Sequence, residues 1–310
     1  MKMSVSVVLV VHNRHKDACE TIESLLKQRT PPDEIIVIDD YSKTPFVIND
    51  DIRNLLEKVK TRIRVVRTPR ELGLGLARSL GVKLSRSSIV SFIDDDAIAD
   101  SSWIEELMKS HSTGCDIVGG PVYPLYVKEP PEWWDERIFG SFVSIGNYYL
   151  ANKLRTRKDI IQYLVWGTNF SVKREVFEKI GYFNPNLGRI KGTLLSGEEA
   201  EFVRRAYRNG FTICYNDKAG VYHKVYPYRF RQDYLVRRAW SQGATEFFIK
   251  YYVEKRKFTA IASAFRKILS LPKHVLKATK YRLQGRKTTA SIYLKIMTSY
   301  RLGYILDRAK

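Results

Sequence analysis

Three consecutive aspartates, Asp94, Asp95 and Asp96, close the apolar run Ile89–Ile93. Like charges about 4 Å apart repel by on the order of 4 kcal/mol at an effective dielectric of 20. A divalent cation reverses the sign of that interaction, and oxygen ligands suit Mg2+ or Mn2+. In a turn after a strand, Asp94 and Asp96 can share one side while Asp95 faces elsewhere, toward a ribose in one reading. The structural alternative is an Asp-rich turn that caps a helix around Trp103. Two more polar clusters follow apolar runs: His12-Asn13-Arg14 and Asp39-Asp40. Glu198, Glu199 and Glu201 follow Gly197, a pattern that an ordinary helix N-terminus also favours. His223 trails the pair Val221-Tyr222 as a candidate ligand or a partly buried structural histidine.

These groups need elements that hold them. Ser4–Val11, Glu34–Ile38, Ile63–Val66 and Ile89–Ile93 are short apolar runs of strand length. Helical patterns over 15–28, 50–60 and 74–84 separate them. Strand and helix in alternation predict a parallel α/β sheet with right-handed crossovers. In such sheets ligands bind beyond the carboxyl ends of the strands. The three polar clusters each sit at such an end and should converge on one rim. Beyond residue 120 the pattern changes. Residues 121–165, rich in aromatics and prolines and including Trp133 and Trp134, read as irregular. Residues 172–180 and 198–209 read as helices, and 211–223 as two short strands around a turn. From about 230 onward the pattern is helical and basic. Gly73 and Gly75 do not make a dinucleotide fingerprint, because position 78 is not glycine, and no GxxxxGK[ST] occurs.

The 310 residues suit one large domain or a domain with an extension. Hydrophobic residues make up 44%, enough for a sizeable core. The 53 Lys/Arg against 33 Asp/Glu give a net charge of +20, which points to anionic partners. Residues 251–310 hold 15 Lys/Arg against only Glu254 and Asp307. Phe258, Ile261, Phe265, Ile268 and Leu269 share one helical face there, with Arg266 and Lys267 on another. Two readings of this tail stand: an amphipathic region on an anionic leaflet, or a helical subdomain with a solvated basic face. Cys19, Cys115 and Cys214 are odd in number and far apart, which favours a reducing cytoplasmic compartment over a disulfide framework. The opening residues read as a first strand and not a signal peptide, and no apolar stretch is long enough to span a membrane.

In order along the chain, VVLVVHNR, EIIVIDDYS, GLGLARSLG, SFIDDDAIAD, WGTNFSVKREVFEKIGYFN and LLSGEEAEFVRRAYRNGFTICYNDKAGVYH resemble the blocks of family 2 glycosyltransferases. The resemblance spans about residues 4–245. It implies a GT-A-type, Rossmann-like α/β sandwich with a central, mostly parallel sheet, to which this chain adds a basic C-terminal helical extension. The expected organisation is a catalytic domain at 1–245, with a nucleotide-binding half at 1–120 and an acceptor-binding half at 121–245, then the extension at 246–310. The implied reaction is an inverting transfer from a nucleotide sugar, most commonly a UDP-sugar, to a hydroxyl of a glycan or lipid-linked acceptor. Mn2+ or Mg2+ would be held by Asp94 and Asp96, with His223 completing the site as the family's matching histidine can. Glu199 stands where the family has its catalytic aspartate, and Glu198 is the neighbouring alternative. His12, Asn13 and Arg14 are implied as contacts to base and ribose, with Asp39, Asp40, Arg78, Asp94 and Asp95 completing the donor side, where Arg78 would meet the diphosphate or bind Asp94. Trp166, Gly167, Thr168 and Asn169 are expected to floor the acceptor site, glycine giving close approach and tryptophan a stacking face.

Three other readings set the terms of comparison. A nucleotidyltransferase also uses aspartates and metal, but needs a glycine-rich basic loop that HNRHKD does not supply. A nucleic-acid-binding protein would explain the charge, yet no helix-turn-helix, RRM or zinc pattern occurs and the acidic clusters repel phosphate, so no nucleic-acid partner is expected. An inactive scaffold of the same fold conflicts with the joint presence of Asp94, Asp96, Glu199 and His223. The expected location is cytoplasmic, with peripheral attachment to the inner face of the membrane as the extension of that reading.

Overall fold

A computed structural model describes residues 3–154, 165–189 and 194–306. The expectation of irregular chain at 155–164 and the last basic residues of the tail, 307–310, lie outside the described residues. The elements run β1 (Val5–Val11), α1 (His15–Leu26), β2 (Glu34–Asp39), α2 (Asp50–Leu56), β3 (Arg62–Arg67), α3 (Leu74–Leu84), β4 (Ile89–Asp94), β5 (Ala97–Ala99), α4 (Trp103–Ser112), β6 (Ile117–Gly119) and β7 (Val122–Tyr126). They continue with α5 (Glu136–Phe139), α6 (Asn147–Leu154), β8 (Asn169–Lys173), α7 (Arg174–Ile180), α8 (Glu198–Arg208), β9 (Ile213–Tyr215) and β10 (Val221–Val225). Four helices end the chain: α9 (Gln232–Phe248), α10 (Lys257–Leu269), α11 (Leu271–Leu283) and α12 (Lys287–Leu306).

The chain divides into two compact units. The first comprises Met1–Leu125, Ser144–Asn186 and Glu198–Lys224. Its seven-stranded sheet has the order β3-β2-β1-β4-β8-β6-β9. β1 to β4 are parallel neighbours, as their apolar runs predict, while β8 enters antiparallel between β4 and β6. One face of these strands carries Val8, Ile36, Ile38, Val90, Phe92, Phe170 and Val172 into a core with Ala77 and Val82 of α3, Phe177 of α7 and Phe202 of α8. The alternate residues Val7, Leu9, Val11, Ile35 and Val37 are buried too, so the central strands are covered on both sides. Burial of each such side chain stabilises by roughly 1.5–3 kcal/mol. A second, three-stranded sheet has the order β5-β10-β7.

The second unit comprises Tyr126–Val143, Leu187–Gly197 and Val225–Lys310. Its core is the crossing of α9 and α12. Gly243 and Gly303 set that approach: a Cβ on Gly243 would strike the Tyr300 carbonyl oxygen, and one on Gly303 the Trp240 carbonyl oxygen. Trp134 packs edge-on against Phe230, and Trp133 lies against Phe139, so both tryptophans join an aromatic cluster of this unit.

The structure differs from the sequence expectations in four places. Residues 121–165 contain β7, α5 and α6 where irregular chain was expected. The segment expected as helix from 172 starts as the strand β8, whose pairing with two strands overrides the local helical pattern. The two strands of 211–223 do not pair with each other: β9 joins β6 and β10 joins β5. The cysteine reading is corrected outright, because Cys115 and Cys214 form a disulfide and only Cys19 is free. β9 runs parallel beside β6 with Val118 opposite Cys214, which brings together two cysteines 99 residues apart that no spacing rule connects. The cysteine argument for a reducing compartment falls with it.

Candidate active site

The acidic turn is built by a strand pair. β4 delivers Asp94, the chain turns through Asp95 and Asp96, and β5 then runs antiparallel to β10 with Ala97 opposite His223. That register sets His223 Nε2 3.0 Å from Asp96 Oδ1. One ligand atom from each of Asp94, Asp96 and His223 lies within 4.8 Å of the others. Asp96 and His223 are buried and Asp94 is half-buried. Two carboxylates and an imidazole at this spacing fit a divalent cation that accepts oxygen and nitrogen donors.

Those partners hold the acids in place. Arg14 Nη1 donates to Asp95 Oδ1 at 2.9 Å and to Asp96 Oδ2 at 2.7 Å. Burial pushes the Asp95 carboxyl up to about 7, and the charges of Asp96 and Asp94 push the same way against the opposing pull of Arg14. Thr21 Oγ1 donates to the Asp95 carbonyl oxygen at 3.0 Å, which fixes the turn on α1. Thr168 Oγ1 donates to Asp94 Oδ2 at 2.8 Å. Lys224, the residue after His223, is buried and donates to Asp17 and Glu20 of α1.

Arg78 of α3 joins the acidic turn to the start of α8. It is buried, and its Nη2 donates to Asp94 Oδ1 at 2.8 Å and to the Gly167 carbonyl oxygen at 2.8 Å, while Nη1 donates to Glu198 Oε1 at 2.7 Å. Glu198 is buried, and its Oε2 has no hydrogen-bond partner among the described residues. Burial pushes its carboxyl up to about 7, and the Glu199 charge adds to the shift while Arg78 opposes it. Glu199 is half-buried. A Cβ added to Gly167 would stand 2.9 Å from Arg78 Nη1 and 3.4 Å from the Glu199 carboxyl carbon. A side chain there would have to push the guanidinium aside, so glycine lets the chain pass close to it and to Glu199. Glu201 pairs with Arg205 one turn along α8.

The remaining expected residues fall into two sets. Along the rim, His12 and Asn13 are exposed and Arg14 is half-buried. Asn13 adopts φ 59°, a conformation that asparagine tolerates better than most residues, and its Oδ1 accepts from Lys43 N at 2.7 Å. His12 Nδ1 lies 2.7 Å from the Asp40 carbonyl oxygen. The Asp39 and Asp40 carboxylates are buried and engaged by backbone N–H groups. Asp39 accepts from Ser42 and Phe46, and Asp40 from Leu72 and Gly73. Burial pushes the Asp39 carboxyl up, but hydrogen bonds from the Ser42 side chain and from the Phe46 and Ser42 backbone, with the charge of Arg67, hold it below the usual carboxylate range. Both acids thus shape the loops after β2 and β3. In the second set, Trp166 is half-buried beside Gly167, but Asn169 is wholly buried and its amide is taken up inside the protein. It accepts from Trp103 Nε1 at 2.8 Å and donates to the carbonyl oxygens of Pro121 and Ala219. Sequence reasoning set Thr168 with the acceptor floor and not on Asp94, and it missed Trp103 and Lys224 as supports. Lys224 sits next to a residue it did select, and Trp103 carries no local signal of a partner 66 residues away.

Comparison with known proteins gives this geometry its context. The family profile described as Glycosyl transferase family 2 matches residues 6–181. A glucosyl-dolichyl phosphate glucuronosyltransferase of Haloferax volcanii is 30% identical over 247 residues, covering 78% of this chain and 75% of that protein. Glycosyltransferase AglE of the same organism is 22% identical, over 97% of this chain and 96% of its own length. Among solved structures, a mannosyltransferase from Pyrobaculum calidifontis, in complex with GDP-Man and Mn2+, superimposes with a TM-score of 0.64 at 15% identity, covering 99% of this chain and 88% of that one. That likeness shows a shared fold. The profile match over more than half of the chain, together with the 30% identity to the haloarchaeal enzyme, shows that this protein belongs to glycosyltransferase family 2 and is a glycosyltransferase.

Proposed function

We propose that the protein transfers a sugar from a nucleotide-sugar donor, a UDP-sugar, to a hydroxyl of a glycan or lipid-linked acceptor with inversion at the anomeric carbon, and that Glu199 is the general base. The observation that carries this reading is the convergence of Asp94, Asp96 and His223 on one point, with Arg78 linking that point to the start of α8. Asp94, Asp96 and His223 would hold a Mn2+ or Mg2+ ion, which would supply positive charge to neutralise a diphosphate leaving group. Arg78 and Thr168 fix the Asp94 carboxylate, and Arg14 fixes Asp96. The exposed His12 and Asn13 contact the nucleoside, in loops shaped by Asp39 and Asp40, and Arg14 and Asp95 complete the donor side. Trp166 and Gly167 border the acceptor hydroxyl.

The choice of Glu199 over Glu198 rests on their surroundings. Glu198 is committed to Arg78 inside the protein, whereas Glu199 is half-buried beside Gly167. A base must reach the proton it removes, and an ion-paired, buried carboxylate is poorly placed to do so. The Haloferax volcanii relative, by its name, acts on a glucosyl-dolichyl phosphate, which supports a lipid-linked acceptor.

The test combines binding and turnover. Glu199→Gln should abolish transfer and retain Mn2+-dependent binding of UDP, measured by calorimetry. Asp96→Asn should lose the Mn2+ dependence. Wild-type turnover in Glu199→Gln would overturn the base assignment, and undiminished Mn2+-dependent nucleotide binding in Asp96→Asn would overturn the metal site.

A further inference from the structure

The last sixty residues do not present a uniform amphipathic surface. α12 buries Ile292, Tyr293, Ile296 and Tyr304, and packs against α9. α10 and α11 do the reverse. On α10 only Ala260 and Ser263 are buried, while Phe258 is 90% exposed, Phe265 63% and Leu269 78%. On α11 only Ala278 is buried, while Leu276 is 72% exposed and Leu283 84%. Helical spacing places Phe258, Ile261, Phe265, Ile268 and Leu269 within an arc of about 100° on α10. The same geometry groups Val275, Leu276 and Leu283 on α11. Large aliphatic and aromatic side chains concentrated on the outside of two successive helices mark an interaction face and exceed the ordinary scatter of surface apolar residues.

Charge selects the occupant. From Lys255 to Leu306 the sequence contains no Asp or Glu. Lys255, Arg256, Lys257, Arg266, Lys273, Lys277, Lys280 and Arg282 are all exposed around the apolar residues. A second copy of this chain would bring two such collars together without a compensating acid. A nucleic acid would satisfy the cations and leave Leu269, Leu276 and Leu283 in water. An anionic lipid surface satisfies both, since acyl chains accept the apolar side chains and headgroups accept the lysines and arginines. No helix among the described residues is long and apolar enough to cross a membrane.

We propose that α10 and α11 form a docking face for an anionic lipid bilayer, with Phe258, Phe265, Leu269, Leu276 and Leu283 entering the interface and Lys273, Lys280 and Arg282 meeting the headgroups. This surface is independent of the catalytic reading, because no residue of the candidate active site belongs to it.

Sedimentation of the full chain with vesicles tests it. Vesicles containing phosphatidylglycerol should carry the protein down, and vesicles of phosphatidylcholine alone should not. Each cation removed near such a surface weakens binding about fivefold, so Lys273→Ala/Lys280→Ala/Arg282→Ala should lose about 100-fold. Phe258→Ser/Phe265→Ser/Leu269→Ser alters only exposed positions and should keep the wild-type circular dichroism while losing the binding that survives high salt. Equal partition onto both vesicle types, or wild-type binding by either variant, would overturn the proposal. So would a dimer in light scattering that the serine variant dissociates, which would assign the face to a second copy. Displacement from vesicles by duplex DNA that the serine variant binds as tightly as wild type would assign it to nucleic acid.

Discussion

Replacing Arg78 by methionine removes a guanidinium that is 3% exposed from a carboxylate that is 2% exposed. Both groups are out of water, so the figure for breaking a buried pair applies, about 3–5 kcal/mol. The bond to Asp94 adds less, about 0.2–1 kcal/mol, because that carboxylate is 26% exposed. For a unit of about two hundred residues each kcal/mol corresponds to about 2–4 °C, so Tm should fall by about 6 °C or more. The orphaned Glu198 charge causes most of this loss. Glu198→Gln in the same chain should therefore restore much of it, with a coupling of at least about 1 kcal/mol in the double-mutant cycle. The defect should also depend on pH. The Glu198 carboxyl sits at about 7 with Arg78 opposing its rise, so losing Arg78 raises it further and the extra penalty grows as pH rises above about 7, where the wild-type carboxylate is ionised. Scanning fluorimetry in chelator at pH 5 and pH 8 reads both effects. Strictly additive losses in the double variant, or an equal defect at the two pH values, would refute the reasoning.

Three other perturbations give distinct readouts. Gly167→Ala should lower kcat about 10- to 100-fold and lower Tm by no more than Arg78→Met does, because a methyl group there displaces an Arg78 guanidinium held by three acceptors; wild-type kcat would show that the crowding is harmless. His111 lies buried between the Cys115 carbonyl oxygen and Ser171 Oγ, and burial lowers its imidazole to about 4. A lowered histidine destabilises as pH falls from about 6.5 to about 4, by up to about 3 kcal/mol, so His111→Gln should flatten the acid limb of the Tm–pH curve. Removing the disulfide in Cys115→Ser/Cys214→Ser should cost about 2–4 kcal/mol, and a denaturation midpoint unchanged from wild type in oxidising buffer would contradict that.

What the sequence revealed follows the range of the forces involved. β1, β2 and β4 are continuous apolar runs buried on both faces, and they announce themselves locally. β5, β6 and β9 have three residues each, too few to show any period. β8 is specified by its partners on both sides, so its segment read as the start of a helix. The acidic turn was legible because three like charges after a buried strand require an explanation. Arg78 was legible only as a choice between a phosphate and Asp94, and the structure adds Glu198 and Gly167 to the second option. Asn169 has an active-site residue type, yet its amide serves Trp103, Pro121 and Ala219. The disulfide joins positions whose proximity depends on the completed sheet. The tail read either as an amphipathic region or as a helical subdomain with a solvated basic face, and only tertiary packing separates α12, which turns inward against α9, from α10 and α11, which do not.

The pairing of β5 with β10 has a further consequence for biogenesis. The aspartates and the imidazole that faces them are 127 residues apart in the chain. Synthesis proceeds from the N-terminus, and distant contacts close late because loop entropy must be met first. A nascent chain that has released β1 to β4 therefore carries its acids without the histidine that faces them, and the proposed metal site would be complete only once β10 emerges.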